Sequence, residues 1–309
     1  MKKQKIAVLI PCYNEELTVK KVVSDFKKQL PDADIYVYDN NSKDDTAKIA
    51  KKAGAIVREE RNQGKGNVVR SMFRDVDADI YVLVDGDDTY PADEVDKLID
   101  AVKDGYDMVI GDRLSSTYYT ENKRPFHNFG NDLVRWLINK IFKNNVKDIM
   151  TGYRAFSKRF VKTIAVVSPG FQVETELTIT ALEYRYNIKS IPIQYRDRPE
   201  GSSSKLNTIS DGMKVLLTLF DMAKDYRPLW FFSIVSLFVF IIGLLIGIPV
   251  LSEFIKTHYI TKIPSAILSS SLMVIVVLLV VLGLIMDHQT NIDKKNHEII
   301  VNEWVNNNR

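Results

Sequence analysis

The sequence predicts an α/β protein: a doubly wound, mainly parallel sheet, followed by a juxtamembrane amphipathic helix and a two-helix transmembrane hairpin. Three observations lead there. Short apolar runs alternate with segments of helical periodicity, the pattern of βαβ units. Polar clusters recur where the runs end, and open α/β sheets place their ligands at such strand ends. Two late stretches, Pro228 to Ser252 and Ile263 to Met286, carry no charged side chain. Each exceeds the roughly 20 residues a helix needs to cross a bilayer.

Ile6 to Ile10 reads as the first strand, being too short for a signal-peptide core, and Pro11-Cys12-Tyr13-Asn14-Glu15-Glu16 follows it. Val19, Val22, Val23, Phe26 and Leu30 have helical spacing, which predicts a helix from about Leu17 to Leu30. Ile35 to Tyr38 is the second strand. Its end, Asp39 to Thr46, is a turn in which Ser42 or Asp44 can cap the next helix, and Gly54 stops that helix. Ala55 to Arg58 is a third strand, and Arg61 to Asn67 opens a helix over Val68 to Phe73. Tyr81 to Val84 reads as a fully buried parallel strand. It runs into Asp85-Gly86-Asp87-Asp88-Thr89-Tyr90-Pro91.

A helix over Asp93 to Val102 leads to a strand at Met108 to Ile110, which ends in Gly111-Asp112-Arg113. Phe126 to Phe142 is helical, Asp148 to Arg154 a polar loop, and a helix begins within Gly170 to Glu176 and runs to Tyr186. Ile188 to Tyr195 alternates with period two, as an edge or antiparallel strand would. Arg196 to Lys205 is a basic, Gly/Ser-rich loop, and Leu206 to Tyr226 has the pattern of a helix lying on a membrane surface. The expected divisions are residues 1–205, an interfacial helix at 206–227, spans at 228–252 and 265–286, and a polar tail at 287–309 with a short helix around Glu298 to Val305. Two spans put both termini on one side. Gly243 and Gly247 form a small-xxx-small spacing suited to close helix packing, and an oligomer built through the spans is an expectation.

The 309 residues suffice for one large or two small domains. A net charge of +3 creates no global field for nucleic acid. Cys12 is the only cysteine, so no intrachain disulfide forms, which fits a reducing compartment.

One mouth of the sheet therefore collects Tyr13, Glu15, Asp39, Asp85 and Asp87. Carboxylates packed this closely repel one another and call for a hard divalent cation, Mg²⁺ or Mn²⁺, which commonly bridges to substrate phosphates. With the Gly64-Lys65-Gly66 loop at a helix start, the set suits a nucleoside diphosphate. The sequence contains neither a GxGxxG fingerprint nor a Walker A motif, which argues against a dinucleotide dehydrogenase and a P-loop ATPase. His127, His258, His288 and His297 are scattered, and no Ser or His triad is evident.

Pro11-Cys12-Tyr13-Asn14-Glu15, the Asp39–Thr46 turn, Gln63-Gly64-Lys65-Gly66 and Asp85-Gly86-Asp87 occur in the order found in family 2 glycosyltransferases of the GT-A fold, which the chain resembles. Gly111-Asp112-Arg113, Arg124, Gly152-Tyr153-Arg154 and Arg198 to Lys205 narrow the resemblance to polyprenyl-phosphate glycosyltransferases, the branch of dolichol-phosphate mannose synthase and bacterial undecaprenyl-phosphate sugar synthases. The resemblance implies that Pro11, Tyr13, Glu15, Asp39 and Lys65 bind the donor, and that Asp85, Gly86 and Asp87 serve its diphosphate. A metal would take Asp85, Asp87 and Thr89. Arg113, Arg124, Asn128, Arg198 and Lys205 match positions that hold the acceptor phosphate or the donor diphosphate.

It further implies an inverting transfer of a hexose from a nucleotide sugar to undecaprenyl phosphate, by a plasma-membrane enzyme whose catalytic domain is cytoplasmic. The product would feed modification of a cell wall or surface glycan. UDP-glucose or UDP-N-acetylglucosamine is the expected donor, with GDP-mannose as the alternative. A processive polysaccharide synthase would use the same donor site but needs a base and a Gln-x-x-Arg-Trp-like motif, of which Val134-Arg135-Trp136 is a fragment. Three positions depart from the pattern: Asn40 replaces an Asp, Asn128 a Ser, and Thr180 a His. Glu174 is expected either to orient an arginine or to act as a helix N-terminal acid.

Overall fold

The computed structural model describes residues 4–115, 135–136, 138–140, 142, 144–197, 199, 220–221 and 224–307. Arg124, His127, Asn128, Arg198, Lys205 and most of the expected interfacial helix lie outside these residues. The chain divides into two compact units, Met1–Val215 with Glu298–Arg309, and Leu216–His297.

The first unit is built on seven strands in the order β3-β2-β1-β4-β6-β5-β7. β1 (Ile6–Cys12) lies between β2 (Asp34–Asp39) and β4 (Ile80–Leu83), parallel to both. Its alternate residues Val8, Ile10 and Cys12 join Val82, Val84 and Ile35 in the main core. α1 (Val19–Gln29) buries Val19, Val22, Val23 and Phe26 against that layer, as its periodicity requires. α2 (Thr46–Lys52) returns the chain to β3 (Ile56–Glu59), and α3 (Lys65–Asp75) returns it to β4. The N-terminal half is thus a parallel, doubly wound arrangement, and the ends of β1, β2 and β4 share one mouth.

Beyond β4, a 3₁₀ turn (Ala92–Glu94) and α4 (Val95–Lys103) lead to β5 (Met108–Asp112). The structure corrects one expectation here, Arg154 belonging to a strand and not to the polar loop, and completes another. Arg154–Ser157 forms β6, which enters between β4 and β5 and pairs antiparallel with both. β7 (Ile188–Pro192) is an edge strand as expected, but it pairs parallel with β5. α5 (Lys158–Thr163) and α6 (Val173–Glu183) fill the β6–β7 crossover.

The second unit contains α7 (Pro228–Thr257) and the apolar length of α8 (Ile263–Asn307), both long and apolar enough to cross a membrane. α8 continues unbroken through the polar tail, where only a short helix was expected. Gly243 and Gly247 are used inside the hairpin. A Cβ at Gly243 would lie 2.8 Å from Met273 Cε, and one at Gly247 would lie 2.5 Å from Ser269 Oγ. Ser269 Oγ donates to the Gly243 carbonyl at 2.9 Å and Ser236 Oγ to that of Val276 at 3.3 Å. Small residues here permit close approach of one span to the other, and hydroxyls satisfy themselves on backbone.

Candidate active site

β4 delivers Asp85 and Asp87 to the mouth. Asp87 is buried, and its Oδ1 accepts the Thr89 hydroxyl at 2.6 Å and the Thr89 N–H at 3.3 Å. Thr89, an expected metal ligand, thus spends its proton on the neighbouring carboxylate. Asp88 holds a left-handed backbone (φ 61°) and pairs with Lys21 at 2.7 Å, which turns it away from its two acidic neighbours' role. The Arg196 N–H donates to the Thr89 carbonyl at 2.9 Å, so the segment after β7 is hooked to the same turn.

Asp85 is not a bare carboxylate. Lys65 Nζ sits 2.5 Å from Asp85 Oδ1 and 2.5 Å from Glu174 Oε1. Glu174 therefore pairs with a lysine and not an arginine, while it also stands as an acid in the first turn of α6, the other role expected of it. Burial alone would lower the Lys65 pKa, but Asp85 and Glu174 outweigh it and raise the value well above that of free lysine. The glycines around Lys65 serve this geometry. A Cβ at Gly64 would lie 2.2 Å from the Pro169 carbonyl oxygen, and one at Gly66 would lie 1.8 Å from that of Ser168. The Asn67 N–H donates to Pro169 O at 3.3 Å, and the Gly64 N–H to Asn40 Oδ1 at 2.7 Å. The loop expected to offer its N–H groups to phosphate thus commits two of them to the protein. Glu176 accepts the Val167 and Ser168 N–H groups, both at 2.8 Å, and so fixes the covering segment.

On the β1–β2 side, Pro11 stands near the end of β1 and Tyr13 in the turn after it, and Glu15 is buried, its N–H donating to Thr46 Oγ1 at 2.8 Å. Asp39 ends β2. Its Oδ2 accepts the Ser42 N–H at 3.1 Å, while its Oδ1 is buried with no hydrogen-bond partner among the described residues. Buried acceptors are rarely left so. Asn40 explains its own departure from Asp. Its amide donates to the carbonyls of Glu60 (2.8 Å) and Asn62 (2.9 Å) and accepts from Gln63 Nε2 and the Gly64 N–H. A carboxylate has no donor for those two carbonyls. Asn40 staples the 60–64 loop from beneath.

Arg113, at the end of β5, is buried and engaged by Asp148: Nε to Oδ2 at 2.7 Å, Nη2 to Oδ1 at 3.0 Å, and its own N–H to Oδ2 at 3.2 Å. Thr180 is buried within α6. The structure therefore brings Tyr13, Glu15, Asp39, Lys65, Asp85 and Asp87 to one mouth. Asp148, Glu176 and the structural role of Asn40 were not read from the sequence. Asp148 stood in a recognisably polar loop, but nothing local to it indicates the arginine it grips.

A doubly wound sheet with an acidic pair at the end of its central strand is the framework of a GT-A glycosyltransferase. The profile of Glycosyl transferase family 2 matches residues 7–165. The chain is 34% identical over 232 residues to the glycosyltransferase AglJ of Haloferax volcanii, covering 75% of this chain and 76% of that one. It is 32% identical over 222 residues to a dolichyl-phosphate hexose transferase of the same organism, covering 72% and 95%. Among solved structures, the glucosyl-3-phosphoglycerate synthase of Mycobacterium tuberculosis, determined with Mn²⁺ and UDP-glucose, shares the fold. Its TM-score is 0.56 at 20% identity, over 72% of this chain and 79% of that one. The chain belongs to glycosyl transferase family 2 and is a glycosyltransferase.

Proposed function

We propose that this enzyme transfers a hexose from a UDP-sugar, UDP-glucose or UDP-N-acetylglucosamine, to undecaprenyl phosphate with inversion at the anomeric carbon. The observation that carries the donor assignment is the buried, unpartnered Asp39 Oδ1, with Oδ2 committed to the Ser42 N–H. One open acceptor matches the single imide N–H of uracil. A guanine edge presents adjacent donors and calls for both carboxylate oxygens. The acceptor assignment is supported by the dolichyl-phosphate relative, by the two apolar helices and by the arginine at the end of β5.

Asp87 and Asp85, with substrate phosphates, are the donor set a Mg²⁺ or Mn²⁺ takes when it keeps few protein ligands. When bound, the ion neutralises the leaving diphosphate. Lys65 adds an ammonium beside Asp85. A phosphate monoester is already anionic near neutral pH, so the lipid phosphate oxygen attacks without a strong general base. The new bond forms between that oxygen and the anomeric carbon as the bond to the diphosphate breaks, and UDP leaves. Arg113, with Arg124, Asn128, Arg198 and Lys205, holds the acceptor phosphate or the departing diphosphate, the task for which guanidinium forks are suited. Nucleotide sugars are cytosolic, so the catalytic unit faces the cytoplasm and α7 and α8 span the plasma membrane.

Replacing Asp39 with Asn tests the donor reading. The loss of a hydrogen bond to a charged acceptor predicts a rise of about 10- to 100-fold in the KM for UDP-sugar, while the KM for the lipid phosphate stays constant. Unchanged use of UDP-sugars by Asp39→Asn, or preferential use of GDP-mannose by the wild type, would overturn it.

A further inference from the structure

Arg154 opens β6 and is completely buried, one of the largest side chains in the protein with no exposure. Among the described residues, no carboxylate lies within ion-pair distance of it. Its guanidinium is instead filled by neutral acceptors. Nη2 donates to the Ile149 carbonyl at 2.6 Å, Nε to that of Thr151 at 3.0 Å, and Nη1 to Thr178 Oγ1 on α6 at 2.9 Å. Burial lowers its pKa to about 10, with Glu174 and Asp148 acting in the opposite direction. A buried charge without a partner is costly, and an apolar side chain would suit an interior strand better. The guanidinium's use lies in the turn it grips.

That turn, residues 148–152, reaches both halves of the site. At one end Asp148 holds Arg113 through two side-chain bonds and one backbone bond. At the other end Gly152 lies against Asp85, where an added Cβ would come within 2.4 Å of Oδ2. At that same end the Gly152 N–H donates to the Tyr90 hydroxyl at 3.1 Å, which ties the turn to the chain just after the acidic pair. The two carbonyls bound by Arg154 lie inside this span. Five donors in a rigid planar fork can hold several acceptors at once, whereas a lysine ammonium is a point charge on a flexible stem.

We propose that Arg154 is a positioning residue: it locks the 148–152 turn and thereby sets Arg113 and Asp85 at the separation that transfer requires. The proposal rests on reading Asp85 as donor-side and Arg113 as acceptor-side. It predicts that loosening the turn slows transfer between two substrates that each still bind.

The test uses the full chain in lipid nanodiscs, with initial rates measured against both substrates and kcat expressed per UDP-binding site titrated calorimetrically. Arg154→Lys keeps the charge and loses the fork. Misplacement of reacting groups by about 1 Å costs up to roughly 100-fold, so kcat should fall by about that factor while both KM values stay within about threefold. Thr178→Val removes one of the guanidinium's four hydrogen-bond partners, the fourth being Met108 Sδ at 3.5 Å, at nearly constant volume and serves if Arg154→Lys does not fold; a smaller loss, about 3- to 10-fold in kcat, is expected from it on the same grounds. A normal kcat per titrated site in the folded variant, whatever the melting temperature does, would overturn the proposal, as would a loss confined to one KM. Arg113→Ala separates the underlying reading. If it leaves the KM for lipid phosphate unchanged, the acceptor assignment falls, while the Arg154 result is judged on kcat alone.

Discussion

Replacing Asp87 with Ala is expected to reduce sugar transfer by roughly 1,000-fold or more, the scale on which removing a preorganised electrostatic group acts. Asp87 is buried at the end of the central strand, and the Thr89 hydroxyl and N–H organise its carboxylate. That preorganisation is what makes it the better-placed of the two acids to meet a cation, since Asp85 already shares the Lys65 ammonium. The structural consequence should be modest. Among the described residues two local hydrogen bonds within one turn are lost, about 1 kcal/mol each, and Asp87→Asn retains the shape. Calorimetric titration with UDP, with and without Mn²⁺, provides the readout. Wild type should bind UDP more tightly with the metal, and both variants should lose that increment. Wild-type turnover in Asp87→Ala would remove the metal assignment.

Lys65→Met should damage both stability and activity. The ammonium is buried between two carboxylates, and its removal leaves Asp85 and Glu174 facing each other without compensation. Breaking a buried ionic group in this way costs about 3–5 kcal/mol, and roughly 2–4 °C of melting temperature per kcal/mol applies to a unit of this size. The pH dependence follows from the sign of the shift. The folded-state pKa of Lys65 is raised, so its contribution is complete below the unfolded value, about 10.4, and is lost only as pH rises through the folded value. Between pH 6 and 9 the wild-type contribution should therefore be flat. Thermal melts of both proteins across that range check this. Equal melting temperatures at neutral pH would show that the triad does not support the fold. For activity, the loss of a cation beside the diphosphate should lower kcat/KM for the donor by about 100-fold, with Lys65→Arg retaining more than Lys65→Met.

The parts of the site legible in the sequence are those written by local pattern. Asp39, Asp85 and Asp87 each follow a buried strand, so short apolar runs ending in acids located them without reference to the rest of the chain. The same logic gave the parallel half of the sheet and the two membrane-length helices. β6 was not legible because it is four residues long, begins with arginine, and is buried on both faces, so it shows no alternation. The direction of β7 depends on how α5 and α6 carry the crossover, not on its period of two. Pairings between distant residues were equally hidden. Lys65 with Glu174, Arg113 with Asp148, and Arg154 with the carbonyls of its own preceding turn are set by the assembled fold. Asn40 illustrates the gain from structure. What looks like a lost acid in the sequence is an amide whose two donor bonds a carboxylate cannot make. Gly243 and Gly247 were legible as contact positions, but the partner is the second span of the same hairpin.

Incubating membranes that contain the protein with radiolabelled UDP-glucose, UDP-N-acetylglucosamine or GDP-mannose and with undecaprenyl phosphate tests the central claim most directly. Label should enter a lipid fraction from a UDP-sugar, require added undecaprenyl phosphate, and be released by mild acid, as expected of a sugar joined through its anomeric carbon to a phosphate. Label appearing only in polymer, or none in lipid with any of the three donors, would contradict it.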